Sequence, residues 1–134
     1  MKIDETDRRI LALLQENADL SVAEIGTHVG LSSTPCWRRI QNLEKQGVIR
    51  KKVALLDRRA IDVPLTVFVM IRTSQHNDSW LEKFAKGVSE IPEVLEFYRM
   101  SGTVDYLLRI VVPSVETYDA VYKRLISIAD LAEV

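Results

Sequence analysis

Residues 21–47, SVAEIGTHVGLSSTPCWRRIQNLEKQG, constrain the fold most, because they read as two short helices with almost nothing between them. Ser21 can cap the first helix, and Glu24, three residues on, can close a capping box. Leu20 and Ile25 occupy the positions of a hydrophobic staple. Gly30 ends that helix, since glycine adopts the left-handed conformation cheaply. Ser32 or Ser33 caps the next helix, with Pro35 in its first turn, where a missing N–H costs little. Gly47 ends it. Two capped helices around a tight glycine-containing turn form a helix-turn-helix, spanning about residues 22–41.

The second helix has an inside and an outside. Cys36, Ile40 and Leu43 share one face at i, i+4 and i+7. Thr34, Arg38, Gln41 and Lys45 lie opposite, with Trp37 and Arg39 on the flanks and Ser32 and Ser33 at the N-terminus. The outward face carries hydroxyls, an amide and cations but no carboxylate. Such side chains bond phosphate oxygens and base edges. The plain alternative is a solvated helix face. Context favours DNA: the hydroxyls sit at a helix N-terminus, where anions are favoured, and Arg50, Lys51 and Lys52 follow just beyond. Residues 37–52 hold six Lys/Arg against one Glu.

Charge along the chain agrees. The formal net charge of −1 hides a basic first part, +3 over residues 1–59, and an acidic second part, −4 over residues 60–134. That asymmetry suggests nucleic acid at one end and other work at the other. No apolar run is long enough to span a bilayer and no signal-peptide pattern opens the chain, so a cytoplasmic protein without membrane association is expected. The single cysteine excludes an intramolecular disulfide and a cysteine-based zinc site. Neither His28 nor His76 has metal-ligand spacing to carboxylates, so no metal and no cofactor are expected.

The remaining elements can be read in order. Asp4 can cap a first helix whose stripe is Ile10, Leu13 and Leu14, and Asn17 to Leu20 breaks it. Residues 48–56 predict a strand, a wing or linker, and Asp57-Arg58-Arg59 a turn. From Leu65 the texture becomes β-rich. Residues 65–72 predict a strand, followed by a helix capped at Asn77 or Asp78 with Leu81, Phe84, Ala85 and Val88 inward. Strands are predicted over 94–100 and 106–112. Ser114 caps a last helix with Val115, Tyr118, Tyr122 and Leu125 on one face. The order β-α-β-β-α is the start of a ferredoxin-like βαββαβ unit whose sixth element, a strand, is expected to be largely missing.

The opening IDETDRRIL, the run LSSTPCWRRIQNLEKQGVI and the later SGTVDYLL resemble the Lrp/AsnC, or feast/famine, transcription regulators over nearly the whole chain. The resemblance implies an α+β protein. Its N-terminal winged helix-turn-helix domain, residues 1–62, would join through a linker strand to a RAM-type effector and oligomerisation domain, residues 63–134. It also implies dimers built through their sheets, assembly into octamers or similar oligomers, and an amino acid or related metabolite that alters DNA binding. Its ligand loop maps to Gly102, Thr103, Asp105 and Tyr106. Physically, Gly102 would admit a small molecule close to the backbone, and Asp105 could meet an α-ammonium group. Read without the resemblance, the same loop is more simply a β-turn with a solvated aspartate. A different class, a sirohaem-decarboxylase-like enzyme, shares the two-domain frame, but only His76 in the second half offers such chemistry. A pure oligomerisation module is the third reading, and DNA binding would then be absent.

Overall fold

The computed structural model describes residues 2–128. The chain divides into two compact units, Met1–Leu55 and Leu56–Val134.

The first unit holds α1 (Glu5–Glu16), α2 (Val22–Val29) and α3 (Ser33–Lys45). Local chemistry sets each helix end. Asp4 caps α1 and Ser21 caps α2, each in a full capping box, closed by Asp7 and Glu24 respectively. Gly30 sits left-handed at φ 74° after α2, and Gly47 at φ 75° after α3. Ile10, Ile25, Val29, Cys36, Ile40 and Leu43 form one buried cluster, with Leu20 packed against it, so the three helices share a single core. Gly26, inside α2, makes the motif tight. A Cβ there would meet the Leu31 carbonyl oxygen at 2.5 Å, so only glycine lets α2 approach the turn this closely.

Residues 48–56 do not form the expected strand. No ladder pairs them among the described residues, and Val53 and Leu55 are exposed, Leu55 by 94%. An extended apolar run becomes a strand only when a neighbour supplies the other half of the ladder. The segment ends in a turn where the Asp57 carboxylate accepts the Arg59 N–H at 3.0 Å.

The second unit is β1 (Leu65–Ile71), α4 (Asp78–Ser89), β2 (Val94–Arg99), β3 (Tyr106–Val112) and α5 (Val115–Ile128). The sheet is antiparallel throughout, ordered β1-β3-β2. Asn77 caps α4 through a 2.8 Å bond from the Trp80 N–H. Both helices contribute to one buried cluster with one face of the sheet: Trp80, Phe84 and Val88 from α4, Val121 and Leu125 from α5, and Val69, Ile71, Leu108, Ile110 and Val112 from the strands. The inward face of α5 differs from the expected one. Tyr118 is only partly buried, while Val115 and Tyr122 are exposed, so the burying stripe is Tyr118, Val121, Leu125 and Ile128. The position expected for the sixth strand lies outside the described residues.

Candidate functional site

The outer face of α3 is where the sequence places it. Cys36, Ile40 and Leu43 are buried, which turns Thr34, Arg38, Gln41 and Lys45 to the exposed side. Trp37 is 51% exposed, a large aromatic presented to solvent beside Arg38. Ser32 holds the N-cap position but makes no side-chain capping bond, and Ser33 begins the helix. Both serines and Thr34 are exposed around the end of α3 that favours anions. Burial pushes the Cys36 thiol up in pKa, against a smaller opposing pull from Arg39, so this cysteine is a packed apolar group. Arg50, Lys51 and Lys52 are all exposed. Lys52 lies 3.6 Å from Glu44, an exposed pair of the kind that contributes little and opens readily.

Arg39 differs from the other cations. Its guanidinium donates to Asp4 at 2.7 Å and to Asp7 at 3.0 Å, and so turns toward the start of α1. The Asp4 carboxyl is held below the usual carboxylate range, first by Arg39 and then by the Asp7 N–H.

In the second unit, the residues expected around an effector take different roles. Gly102, at φ 102°, and Thr103 are exposed at the tip of the loop between β2 and β3. Asp105 closes that loop. Its carboxylate accepts the Thr73 N–H at 2.8 Å, its N–H donates to the Ile71 carbonyl at 3.0 Å, and its carbonyl accepts the Met100 N–H at 2.8 Å. Tyr106 points away from the loop surface. It is 6% exposed and packs on Trp80, Phe84 and Phe97, with ring centroids 5.3–5.8 Å apart. Strand alternation explains this: Tyr106, Leu108, Ile110 and Val112 all face the helices.

The opposite sheet face is left uncovered by the described residues. Register places Met70, Leu107 and Tyr98 in one row and Phe68, Arg109 and Glu96 in the next. Phe68 and Met70 are each 61% exposed. In the middle strand Arg109 donates to Glu96 at 2.8 Å, and the Tyr98 hydroxyl donates to the same carboxylate. Arg109 first, and Tyr98 second, hold the Glu96 carboxyl below its ordinary range.

Comparison with known proteins agrees with both halves. The family model for the Lrp/AsnC ligand binding domain matches residues 66–134, and the winged helix-turn-helix DNA-binding model matches residues 3–50. The chain belongs to the Lrp/AsnC family of transcriptional regulators. The glutamate uptake regulatory protein of Zymomonas mobilis is 47% identical over 99% of this chain and 81% of its own length. An AsnC family transcriptional regulator from Agrobacterium tumefaciens superimposes with a TM-score of 0.90 at 56% identity, over 97% of this chain and 85% of that one. A Neisseria meningitidis transcriptional regulator in complex with L-Met has a TM-score of 0.90 at 33% identity, over 98% of this chain and 86% of that one. Among the described residues, no helix of this Lrp/AsnC regulator is long and apolar enough to cross a membrane.

Proposed function

We propose that this chain is a cytoplasmic, non-enzymatic regulator that reads a specific double-stranded DNA operator and responds to an amino acid or a closely related metabolite. One observation carries the DNA reading: an exposed α3 face of Thr34, Arg38, Gln41 and Lys45 stands over a buried face of Cys36, Ile40 and Leu43. Arg38 and Gln41 have the donors and acceptors for base edges in the major groove. Ser32, Ser33, Thr34, Arg50, Lys51 and Lys52 are suited to phosphates, and Trp37 to the sugar–phosphate wall.

The uncovered sheet face supports a two-fold homodimer, from which larger assemblies such as octamers would be built. An isologous contact brings the same patch against itself, so a cation near its centre meets its own copy. Here Arg109 is already neutralised by Glu96 within the chain, which removes that clash and leaves Phe68, Met70 and Leu107 to be buried. A dimer presents two recognition helices to a near-palindromic site. The effector reading rests on the exposed loop tip at Gly102 and Thr103, next to the half-buried Asp105. The L-Met complex of the Neisseria meningitidis relative supports an amino acid as the ligand class. The test is a binding assay on genomic fragments repeated over a panel of amino acids. Selective retention of a fragment, altered by one amino acid, is the expected result. Equal binding to every fragment would refute the operator reading.

A further inference from the structure

Arg39 lies one residue from Arg38 on the recognition helix, and residue type alone groups it with the DNA-contacting cations. Its surroundings say otherwise. One oxygen of Asp4 accepts the Asp7 N–H at 2.8 Å, and one oxygen of Asp7 accepts the Asp4 N–H at 3.2 Å. The remaining oxygen of each accepts from the same Arg39 nitrogen, at 2.7 and 3.0 Å. All four carboxylate oxygens are therefore engaged, and one guanidinium ties the N-cap of α1 to the middle of α3. Asp7 is 6% exposed, so its charge is held in place by that partner. Around Arg39 two carboxylates outweigh one guanidinium, a poor place for a phosphate.

We infer that Arg39 is not a DNA contact but a positioning residue. Together with Asp4 and Asp7 it sets the rotation of α3 on α1, and so the aim of Arg38 and Gln41. A side chain beside the reading residues can act this way because base contacts tolerate little misplacement, whereas phosphate contacts tolerate more. The inference rests on the DNA-binding reading above.

The two roles predict opposite results for the aspartates. If Arg39 positions α3, removing its partner weakens sequence discrimination. If Arg39 contacts phosphate, removing a competing carboxylate frees it and strengthens binding to any duplex. The experiment uses the full chain and a duplex enriched by the wild type from a random-sequence pool, with a scrambled duplex as reference. Affinities are measured by fluorescence anisotropy across a salt series, at a temperature where melting curves show each variant folded. Arg39→Gln and Asp7→Asn should each lower the preference for the enriched duplex by about tenfold, the scale of a single bidentate base pairing. In Arg39→Gln the salt slope for the scrambled duplex should stay at its wild-type value. If Asp7→Asn does not fold, the exposed Asp4→Asn replaces it and should move the preference in the same direction. A salt slope reduced by about 0.9 in Arg39→Gln, or equally tighter binding to both duplexes with discrimination unchanged in either aspartate variant, would overturn the inference. So would wild-type discrimination in both variants. Failure of the wild type to enrich any duplex would overturn the DNA reading itself and this inference with it.

Discussion

Phe68→Ala is the sharpest probe of the uncovered sheet face. Phe68 sits on β1 beside Arg109, and 61% of it is exposed. Burying a whole phenylalanine is worth about 1.5–3 kcal/mol, so covering the part still exposed is worth roughly 0.5–1.3 kcal/mol once the residual alanine methyl is subtracted. A two-fold contact counts the side chain twice, which gives about 1–2.6 kcal/mol for the dimer. At about 1.4 kcal/mol per factor of ten, the dimer dissociation constant should rise roughly 5- to 70-fold. Sedimentation velocity over a dilution series measures it directly. The melting temperature of the monomer should barely move, because Phe68 is not part of the helix-covered cluster. A dissociation constant within about threefold of wild type would refute the use of this face, on the same area arithmetic. A wild type that is monomeric at every concentration would refute the dimer.

Other expectations follow from the first unit. Arg38→Ala should cost about 1–3 kcal/mol of discrimination between operator and random DNA, read by competition binding. Lys51→Ala combined with Lys52→Ala should lower the slope of log K against log salt by roughly 0.9 for each phosphate that these lysines neutralise, measured by anisotropy titrations. Arg39 depresses the Asp4 pKa in the fold, so this carboxylate's contribution is fully present above its unfolded pKa. It disappears as pH falls through the lower folded value, and Asp4→Asn should flatten that part of the acid-unfolding curve.

What the sequence made legible was whatever is decided locally. A helix end is settled by a few neighbouring residues, so Asp4, Ser21 and Gly30 could be placed from spacing alone, and the cap of α4 narrowed to Asn77 or Asp78. The strands of the second unit were legible for a related reason: their apolar runs are long and bounded by turn signals. Residues 48–56 carry a similar β-rich pattern, but a strand needs a partner, and nothing in a linear pattern supplies one. A stripe drawn from apolar type runs too far round α5, because Val115 and Tyr122 are apolar yet exposed. Apolar type alone does not place a residue inside.

The site shows the same division. Which face of α3 points outward follows from the 3.6-residue period and needs no tertiary knowledge. That Arg39 turns to carboxylates 32 and 35 residues earlier does need it. The role of Gly26 is hidden from the sequence because close approach to the Leu31 carbonyl is a property of the fold. A glycine inside a helical pattern was the one available signal, since it costs stability unless something requires it.

Asp105 is where a binding role and a structural role can be separated. Its carboxylate accepts the Thr73 N–H at 2.8 Å, a bond between the segment just after β1 and the residue just before β3. Asp105→Ala removes that bond and any charge offered to a ligand, so a missing amino-acid response in this variant would have two explanations. Asp105→Asn differs. Its amide oxygen can still accept the Thr73 N–H, so the loop keeps its shape, but the negative charge is gone. If Asp105 meets an α-ammonium group, the asparagine variant should bind operator normally and lose most of its response to the amino acid. Charge-assisted hydrogen bonds are roughly twice as strong as neutral ones, so at least about a tenfold loss in effector affinity is expected. If Asp105 only closes the loop, Asp105→Asn should respond as the wild type does, while Asp105→Ala should show a lowered melting temperature. Effector titrations by calorimetry, with thermal melts of both variants, distinguish the two, and a fully responsive Asp105→Asn would end the case for Asp105 as a ligand contact.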